Sequence, residues 1–420
     1  MRTIRMFNTG LNSSKLNLYK VCILAVNYWP IVPGQGTRHP KVISELLENH
    51  CDLTIITTHV DKTKGKSFVV EYEGKKKIIR IPFKRFNGKG FFPRALTYLS
   101  FAISCIFAAM YIDKHSLIFS VGPDPPYFSL TTPILSRIKS SRNLALLTDM
   151  LPDVAFDVGL VKSKVAKDII RYFCIQAYRN ADHIMVITDK LKTRLIHYGV
   201  QPERISVVPL AVDTKTFAPR SADQKLVAEL KINNKFIVLY SGSFGQMYDF
   251  DLLLEAARSI QEYNSNINFI IRGDGAQKSH IAEKISSLDL KNTVLLGPVD
   301  STDLIVSYIN LASICVVPMK DSKSIDMTHP SKIFEFWSCG KPVICTSRGE
   351  LADLVNRSKA GIAIPPGDKQ ALVDAILRLY NDQTILNNMS VSARTFVENE
   401  FSYHIVREKM LNVIERLHRD

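Results

Sequence analysis

At 420 residues the chain is too long for one ordinary hydrophobic core, so two domains of about 200 residues each are expected. Hydrophobic residues at 46% and charged residues at 22% argue against a disordered, collagenous or coiled-coil protein. The formal net charge of +14 is unevenly spread: residues 1–215 carry 31 Lys/Arg against 16 Asp/Glu, while residues 216–420 carry 23 against 24. A basic first half and a neutral second half suggest that the two halves meet different things.

The seven cysteines form no CxxC pair, and most sit in apolar runs such as Val21-Cys22-Ile23. They point to buried thiols in a cytosolic protein rather than a disulfide framework or a zinc site. The first twenty residues are polar and lack the apolar stretch of a secretory signal.

In chain order, apolar β-branched runs are predicted as strands at 21–27, 52–58, 116–121, 143–148, 182–188 and 204–209, with helical patterns at 36–50, 94–112, 126–139, 160–180 and 189–197. A polar, proline-bearing stretch at 210–223 reads as a linker. A second series of strands follows at 235–240, 267–272, 293–296, 313–317, 342–345 and 361–364, again alternating with helices. This alternation predicts an α/β protein with two Rossmann-like, doubly wound domains facing across a cleft: an N-terminal domain over 1–209 and a C-terminal domain over 224–382. Residues 383–420 are helical by period and are expected to run back over the first domain.

Two segments of the first half raise the question of a membrane. Residues 62–94 hold eleven Lys/Arg and only two acids, Glu71 and Glu73. Residues 95–112 are eighteen without a charge, near the lower limit for a bilayer span. A single crossing would put the 21–27 and 116–121 strands on opposite sides of the membrane, where they could not share a sheet. The helix is therefore expected to be buried or to lie at an interface. Its basic neighbour would then attract an anionic membrane surface, on the order of 1 kcal/mol for each Lys/Arg near the lipid. The other reading is a solvated loop beside an ordinary core helix.

Several turns carry candidate chemistry. Gly34-Gln35-Gly36-Thr37-Arg38 opens a helix after the first strand, and glycines there let a backbone approach a ligand while the helix N-terminus offers N–H groups to an anion. Gly242-Ser243-Phe244-Gly245 follows the first strand of the second domain, and Arg272-Gly273-Asp274-Gly275 ends the next. Glycine-bearing turns at the carboxyl ends of neighbouring strands point to a phosphate-bearing ligand. Arg272 would either supply charge there or pair with Asp274. In Pro330-Ser331-Lys332-Ile333-Phe334-Glu335, Pro-Ser opens a helix whose first turn presents Lys332 and Glu335 on one face. A lysine there can meet a phosphate, and a carboxylate one turn on can accept bonds from two ribose hydroxyls; an exposed ion pair is the other reading. Asp249-Phe250-Asp251 is a DxD, but its place at a helix start makes it a cap or first-turn acid, and no metal is expected. His39, His183 and His329 stand isolated.

With these residues the chain resembles the family-4 glycosyltransferases, retaining enzymes of the GT-B fold, over nearly its whole length. PSKIFEFWSCGKPVI is similar to that family's donor-nucleotide helix, GQGTRHPKVISELLENHCDLTIIT to its first βαβ unit, RISVVPLAVDTKTFAP to its linker approach, and YSGSFGQMYDFDLLLEAA to the opening of its second domain. LLTDMLPDVAFDVGL further resembles the WbuB-like branch, which builds O-antigen, capsule or exopolysaccharide chains. The resemblance implies that Glu335 holds the donor ribose and Lys332 lies near the diphosphate. It implies that Gly242 and Gly245 admit the diphosphate to the backbone, and that Gly34 and Gly36 belong to the sugar and acceptor loop. The family's second glutamate, eight residues earlier, is replaced by Met327 beside Asp326. Its usual Arg and Lys after the second-domain glycine are replaced by Ser243 and Tyr248. A histidine common after the strand ending at Thr148 is missing, leaving Asp149 and Asp153, and the candidate catalytic groups are Glu335, Lys332 and Asp149.

The expected activity is transfer from a nucleotide-sugar, a UDP-sugar first, to a glycan or polyprenyl-diphosphate-linked acceptor in cell-surface polysaccharide biosynthesis. The protein is expected in the cytoplasm, peripheral at the inner face of the plasma membrane. A GT-B-type nucleotide-sugar epimerase would use the same cleft without an acceptor. Nucleic-acid binding would fit the charge alone, but no aromatics interleave the lysines at 62–89 and no recognition helix is present, so no nucleic-acid partner is expected.

Overall fold

The structure, a computed structural model, describes residues 19–30, 35–59, 67–84, 91–114, 116–122, 125–157, 159, 161, 163–299 and 301–419. The first lobe runs β1 (Tyr19–Leu24), α1 (Gln35–Leu47), β2 (Cys51–Thr58), β3 (Val69–Glu73), β4 (Lys76–Ile81), α2 (Phe91–Ala108), β5 (Leu117–Val121), α3 (Pro125–Lys139), β6 (Asn143–Leu147), α4 (Leu151–Asp157), α5 (Lys164–Asn180), β7 (His183–Val186), α6 (Asp189–His197) and β8 (Ile205–Val207). Its sheet has the order β3-β4-β2-β1-β5-β6-β7-β8 and is parallel except for β3. Parallel strands covered by helices on both faces must be apolar on both, and β1 shows this directly. Val21 and Ile23 enter the core shared with α1, while Cys22 and Leu24 enter a second core under α2 with Phe101 and Cys105.

The second lobe runs α7 (Gln224–Glu229), β9 (Phe236–Ser243), α8 (Phe250–Tyr263), β10 (Ile267–Asp274), α9 (Lys278–Ser287), β11 (Thr293–Leu296), α10 (Thr302–Leu311), β12 (Ile314–Pro318), α11 (Lys332–Ser338), β13 (Val343–Thr346), α12 (Glu350–Ser358), β14 (Gly361–Ile364) and α13 (Lys369–Asn381). Its sheet order is β11-β10-β9-β12-β13-β14, so strand order reverses between β9 and β12, where an open α/β sheet leaves a crevice at its carboxyl edge. The chain ends in α14 (Gln383–Glu400) and α15 (Tyr403–Arg419).

Two expectations are corrected. The basic stretch at 62–94 contains the β3–β4 hairpin, turned at Gly74 with φ +60°, and its cations are partly structural. Buried Arg80 donates to Glu71 at 2.8 Å and to the carbonyl of Trp29 at 3.0 Å, and buried Lys76 pairs with Glu48 at 3.1 Å. A charged two-stranded edge has no apolar alternation to reveal it. Residues 383–420 do not cross back as one unit. α14 packs on α11, α12 and α13 of the second lobe, and only α15 lies against α1, β1 and β5 of the first, with Tyr403 donating to Glu45 at 3.0 Å. The reversal falls at Phe401, where the Val212 N–H of the linker donates to the Phe401 carbonyl at 2.9 Å. The DxD carboxylates take the cap and first-turn places expected of them: Asp249 caps α8 by accepting from the Leu252 N–H at 3.0 Å, and Asp251 in its first turn pairs with Lys284 at 2.9 Å. Among the described residues no group of three His, Cys, Asp or Glu could hold a metal ion, and no helix is long and apolar enough to cross a membrane.

Candidate active site between the two lobes

The site is built on α11, a seven-residue helix whose every residue is buried. Short helices have little stability of their own and depend on their packing. Phe334 stacks on Phe401 with ring centroids 4.2 Å apart, and Trp337 is fully buried and donates to the Ala360 carbonyl at 3.0 Å. Ser338 donates to the linker carbonyl of Phe217 at 2.5 Å, which Arg394 of α14 also contacts at 2.9 Å. This packing fixes the first turn, and with it Lys332 and Glu335. Ser331, expected to cap the helix, makes no side-chain cap bond.

Lys332 is 7% exposed and Glu335 6%, so an exposed ion pair is not what the structure holds. The Lys332 ammonium donates to the Tyr240 hydroxyl at 2.7 Å and lies 4.0 Å from the ring centroids of both Tyr240 and Tyr248. Burial, reinforced by Arg272 and opposed by Glu335, brings its pKa down to about 7. Gly242 makes room for this side chain: at φ +146°, a Cβ there would stand 2.6 Å from the lysine nitrogen. Gly273 serves the loops themselves, since a Cβ would stand 1.8 Å from the Gly242 carbonyl oxygen, and Gly275 likewise abuts the backbone of Phe244. Among the glycines of these turns, only at Gly245 would a Cβ meet nothing closer than 3.9 Å.

Arg272 does not pair with Asp274, which faces Lys278 at 3.4 Å instead. It is buried, donates to the Ser241 hydroxyl at 2.6 Å, and lies 5.4 Å from the Tyr308 ring centroid; its Nε has no hydrogen-bond partner. Among the described residues no carboxylate stands within ion-pairing distance of Arg272 or Lys332. The one carboxylate acting on both is Glu335, whose own partner comes from the other lobe: the Arg38 guanidinium, which also lies 5.3 Å from the Phe217 ring centroid. Burial holds the Glu335 carboxyl above its ordinary range, opposed first by Arg38, then by Lys332 and Arg272. Three cations thus surround a single acid at the lobe interface, and a dianion would complete the charge balance.

Beside this cluster lies a crevice of about 300 Å³, lined by His39, Thr148 and Asp149 of the first lobe and Met247, His329 and Pro330 of the second. Burial raises the Asp149 carboxyl, opposed by a bond from Thr148 at 3.3 Å. Burial lowers both His39 and His329 to about 4, so both rings are neutral at pH 7. Met327 and Asp326 take no part in the cluster: the Met327 carbonyl accepts from Thr188 at 2.6 Å and the Asp326 backbone packs against Gly349.

The structure therefore gathers Arg38, Gly242, Arg272, Lys332 and Glu335, with Asp149 and Pro330 in the adjoining crevice. Ser243 is exposed on the loop, Gln35 and Gly36 open α1, and Gly34 lies outside the described residues. Sequence reasoning missed the two tyrosines around Lys332 and the convergence of His39 with His329. No local signal marks either, because the partners are contributed by separate βα units.

Two Rossmann-like lobes closing on a buried cationic pocket at the switch point of the second sheet define a GT-B glycosyltransferase. The chain belongs to the family-4 glycosyltransferases: the family model "Glycosyl transferases group 1" matches residues 222–396, and "Glycosyltransferase Family 4" matches residues 151–216. It is 22% identical over 413 residues to WcaI of Escherichia coli strain K12, which carries the name of a colanic acid biosynthesis glycosyl transferase, covering 94% of this chain and 99% of that protein. It is 24% identical to the amylovoran biosynthesis glycosyltransferase AmsK of Erwinia amylovora over 53% of this chain, and spans about half (54%) of that relative. In fold it is similar to the sucrose-phosphate synthase of Thermosynechococcus elongatus, at TM-score 0.73 and 17% identity over 95% of this chain and 99% of that one. It is similar also to Anabaena HepE in complex with UDP-glucose, at TM-score 0.69 and 17% identity over 94% and 99%.

Proposed function

We propose that the protein transfers a sugar, with retention of anomeric configuration, from a UDP-sugar to a glycan or polyprenyl-diphosphate-linked glycan acceptor in cell-surface polysaccharide biosynthesis. It would work in the cytoplasm, peripheral at the inner face of the plasma membrane. The observation that carries the reading is the excess of positive charge: buried Arg272 and Lys332, with the part-exposed Arg38, converge on Glu335 alone. The relatives' names support the polysaccharide pathway, and the UDP-glucose in the HepE structure supports the nucleotide.

In the reaction the bond from the sugar C1 to the diphosphate oxygen breaks, and its electron pair leaves with the UDP. The acceptor oxygen bonds to C1 on the same face and its proton passes to the departing diphosphate. Lys332 and Arg272 stabilise the charge that develops there, the kind of preorganised electrostatic contribution that usually dominates. Glu335 accepts bonds from the ribose hydroxyls once donor binding displaces Arg38, which is then free to face the sugar or acceptor. Closure over Asp149, His39 and His329 excludes water that would hydrolyse the donor. With Lys332 and Arg272 at the diphosphate, no metal is required.

The test is nucleotide release from purified protein, with and without a lipid-linked glycan acceptor. Acceptor-dependent release that survives EDTA and falls by about 10²-fold or more in Glu335→Ala is expected. Wild-type kinetics in that variant would remove Glu335 from the site. Formation of a new nucleotide sugar from donor alone would make the protein an epimerase.

A further inference from the structure

Among the described residues, the helices on one face of the first sheet end in an apolar surface that no other element covers. α3 lies between α2 and α5, so the three form a continuous layer. The inner side of α2 packs Phe101, Cys105 and Ala108 on the sheet, yet its outer side is also apolar, with exposed Leu99, Ile103 and Phe107 at helical spacing. Ile138 of α3 and Ile169 and Phe173 of α5 continue the surface. Among the described residues, twelve of the nineteen exposed large hydrophobic side chains lie on these helices and the turn after α2; those of the second lobe are scattered singly. An outward helix face left apolar calls for a cover, and a concentration of this kind marks an interaction surface.

The charges choose the cover. Together α2, α3 and α5 carry seven Lys/Arg and one acid, Asp168, which is itself paired with Arg171 at 3.0 Å. The end of α2 is bordered by one further cation, Lys77, which donates to the Tyr111 carbonyl at 2.7 Å, and by Lys139 of α3, which donates to the Ile112 carbonyl at 2.6 Å. A second copy seated on this face by two-fold symmetry would bring like-charged surfaces together. An anionic bilayer offers apolar depth and negative headgroups at once.

We infer that the α2–α3–α5 face is the surface on which the protein lies in an anionic membrane, with its apolar side chains below the headgroups. This goes beyond a basic stretch beside one helix: α5 contributes as much apolar surface as α2. The inference rests on the transferase reading for its purpose. α3 and α4 follow the carboxyl ends of β5 and β6, so the layer reaches the cleft rim near Asp149, where a lipid-held acceptor would arrive.

The full chain is floated with phosphatidylcholine vesicles with and without phosphatidylglycerol, and UDP binding is measured on the same preparations. We expect flotation with phosphatidylglycerol that partly survives high salt. It should fall by about tenfold or more in Ile103→Ser/Phe107→Ser and, separately, in Ile169→Ser/Phe173→Ser. Tyr263→Ser/Val391→Ser on the second lobe should float like the wild type. These side chains are exposed, and retained UDP binding shows that each variant is folded. Undiminished flotation of the α5 variant overturns the inference, as does a wild-type dimer in light scattering that the same substitutions dissociate. A chain that binds UDP but does not float overturns the inference and leaves the transferase reading; one that floats but binds no nucleotide does the reverse.

Discussion

Lys332 shows how a buried side chain is tuned by what it lacks. It has two aromatic rings and a phenol for company, a second cation in Arg272, and only the shared Glu335 to favour its charged form, so its pKa falls to about 7. The ordinary lysine value is near 10.4, so the amine is part-neutral in the empty protein at physiological pH. A diphosphate binds the ammonium form, and its affinity should fall as pH rises above about 7, by up to about tenfold per pH unit until the bound-state pKa is reached. UDP titration calorimetry at pH 6.5, 7.5 and 8.5 would show this slope. Lys332→Met should weaken binding at every pH and flatten the profile; an equally steep profile in that variant would assign the titration elsewhere. Lysine at this position was legible in the sequence, because its helix resembles a known donor helix. Its altered basicity was not, since Tyr240 and Arg272 come from strands some sixty to ninety positions away.

At the scale of elements, α11 is a site helix held by its neighbours. Four aromatic rings (Phe334, Trp337, Phe396 and Phe401) join it to α14 and the turn before α15, and the linker carbonyl of Phe217 closes its last turn. Trp337→Ala should cost about 3–5 kcal/mol, visible as a lower urea midpoint, because a large buried side chain leaves a cavity its rigid neighbours cannot fill. UDP affinity should fall with it, since Lys332 and Glu335 ride on the same turns. Unchanged affinity in a destabilised variant would show that the first turn holds its place without this packing. The helix was plain from its sequence resemblance, whereas the β3–β4 hairpin was hidden by its own charges. Lys76 and Arg80 look like a solvated stripe until Glu48 and Glu71 are brought beside them.

At the scale of the whole molecule, the lobes meet through polar contacts along the cleft. Asp157 accepts from the Ser322 hydroxyl at 2.7 Å and the Ser324 N–H at 3.2 Å; Lys190 donates its N–H to Glu350 at 2.8 Å and its ammonium to Asp353 at 3.1 Å; Arg38 meets Glu335. Exposed pairs of this kind contribute about 0–1 kcal/mol each, which suits lobes that must open for a donor and close on it. Asp157→Ala combined with Lys190→Ala should enlarge the radius of gyration of the empty protein in X-ray scattering, with UDP restoring the compact form. An unchanged radius would place the restraint in the linker and α15 instead.

The two-lobed α/β plan, its strands other than the β3–β4 hairpin and the helix carrying Lys332 and Glu335 were determined by the sequence alone, because apolar period and glycine-bearing turns are local properties. Tertiary structure alone decided that Arg38 pairs with Glu335, that Arg272 stands without Asp274, that α14 stays on its own lobe, and that three helices share one apolar face. Most of these are relations between side chains far apart in the chain, set by how the sheets stack their crossovers, and even Arg272, two positions from Asp274, is directed by a distant partner, Ser241.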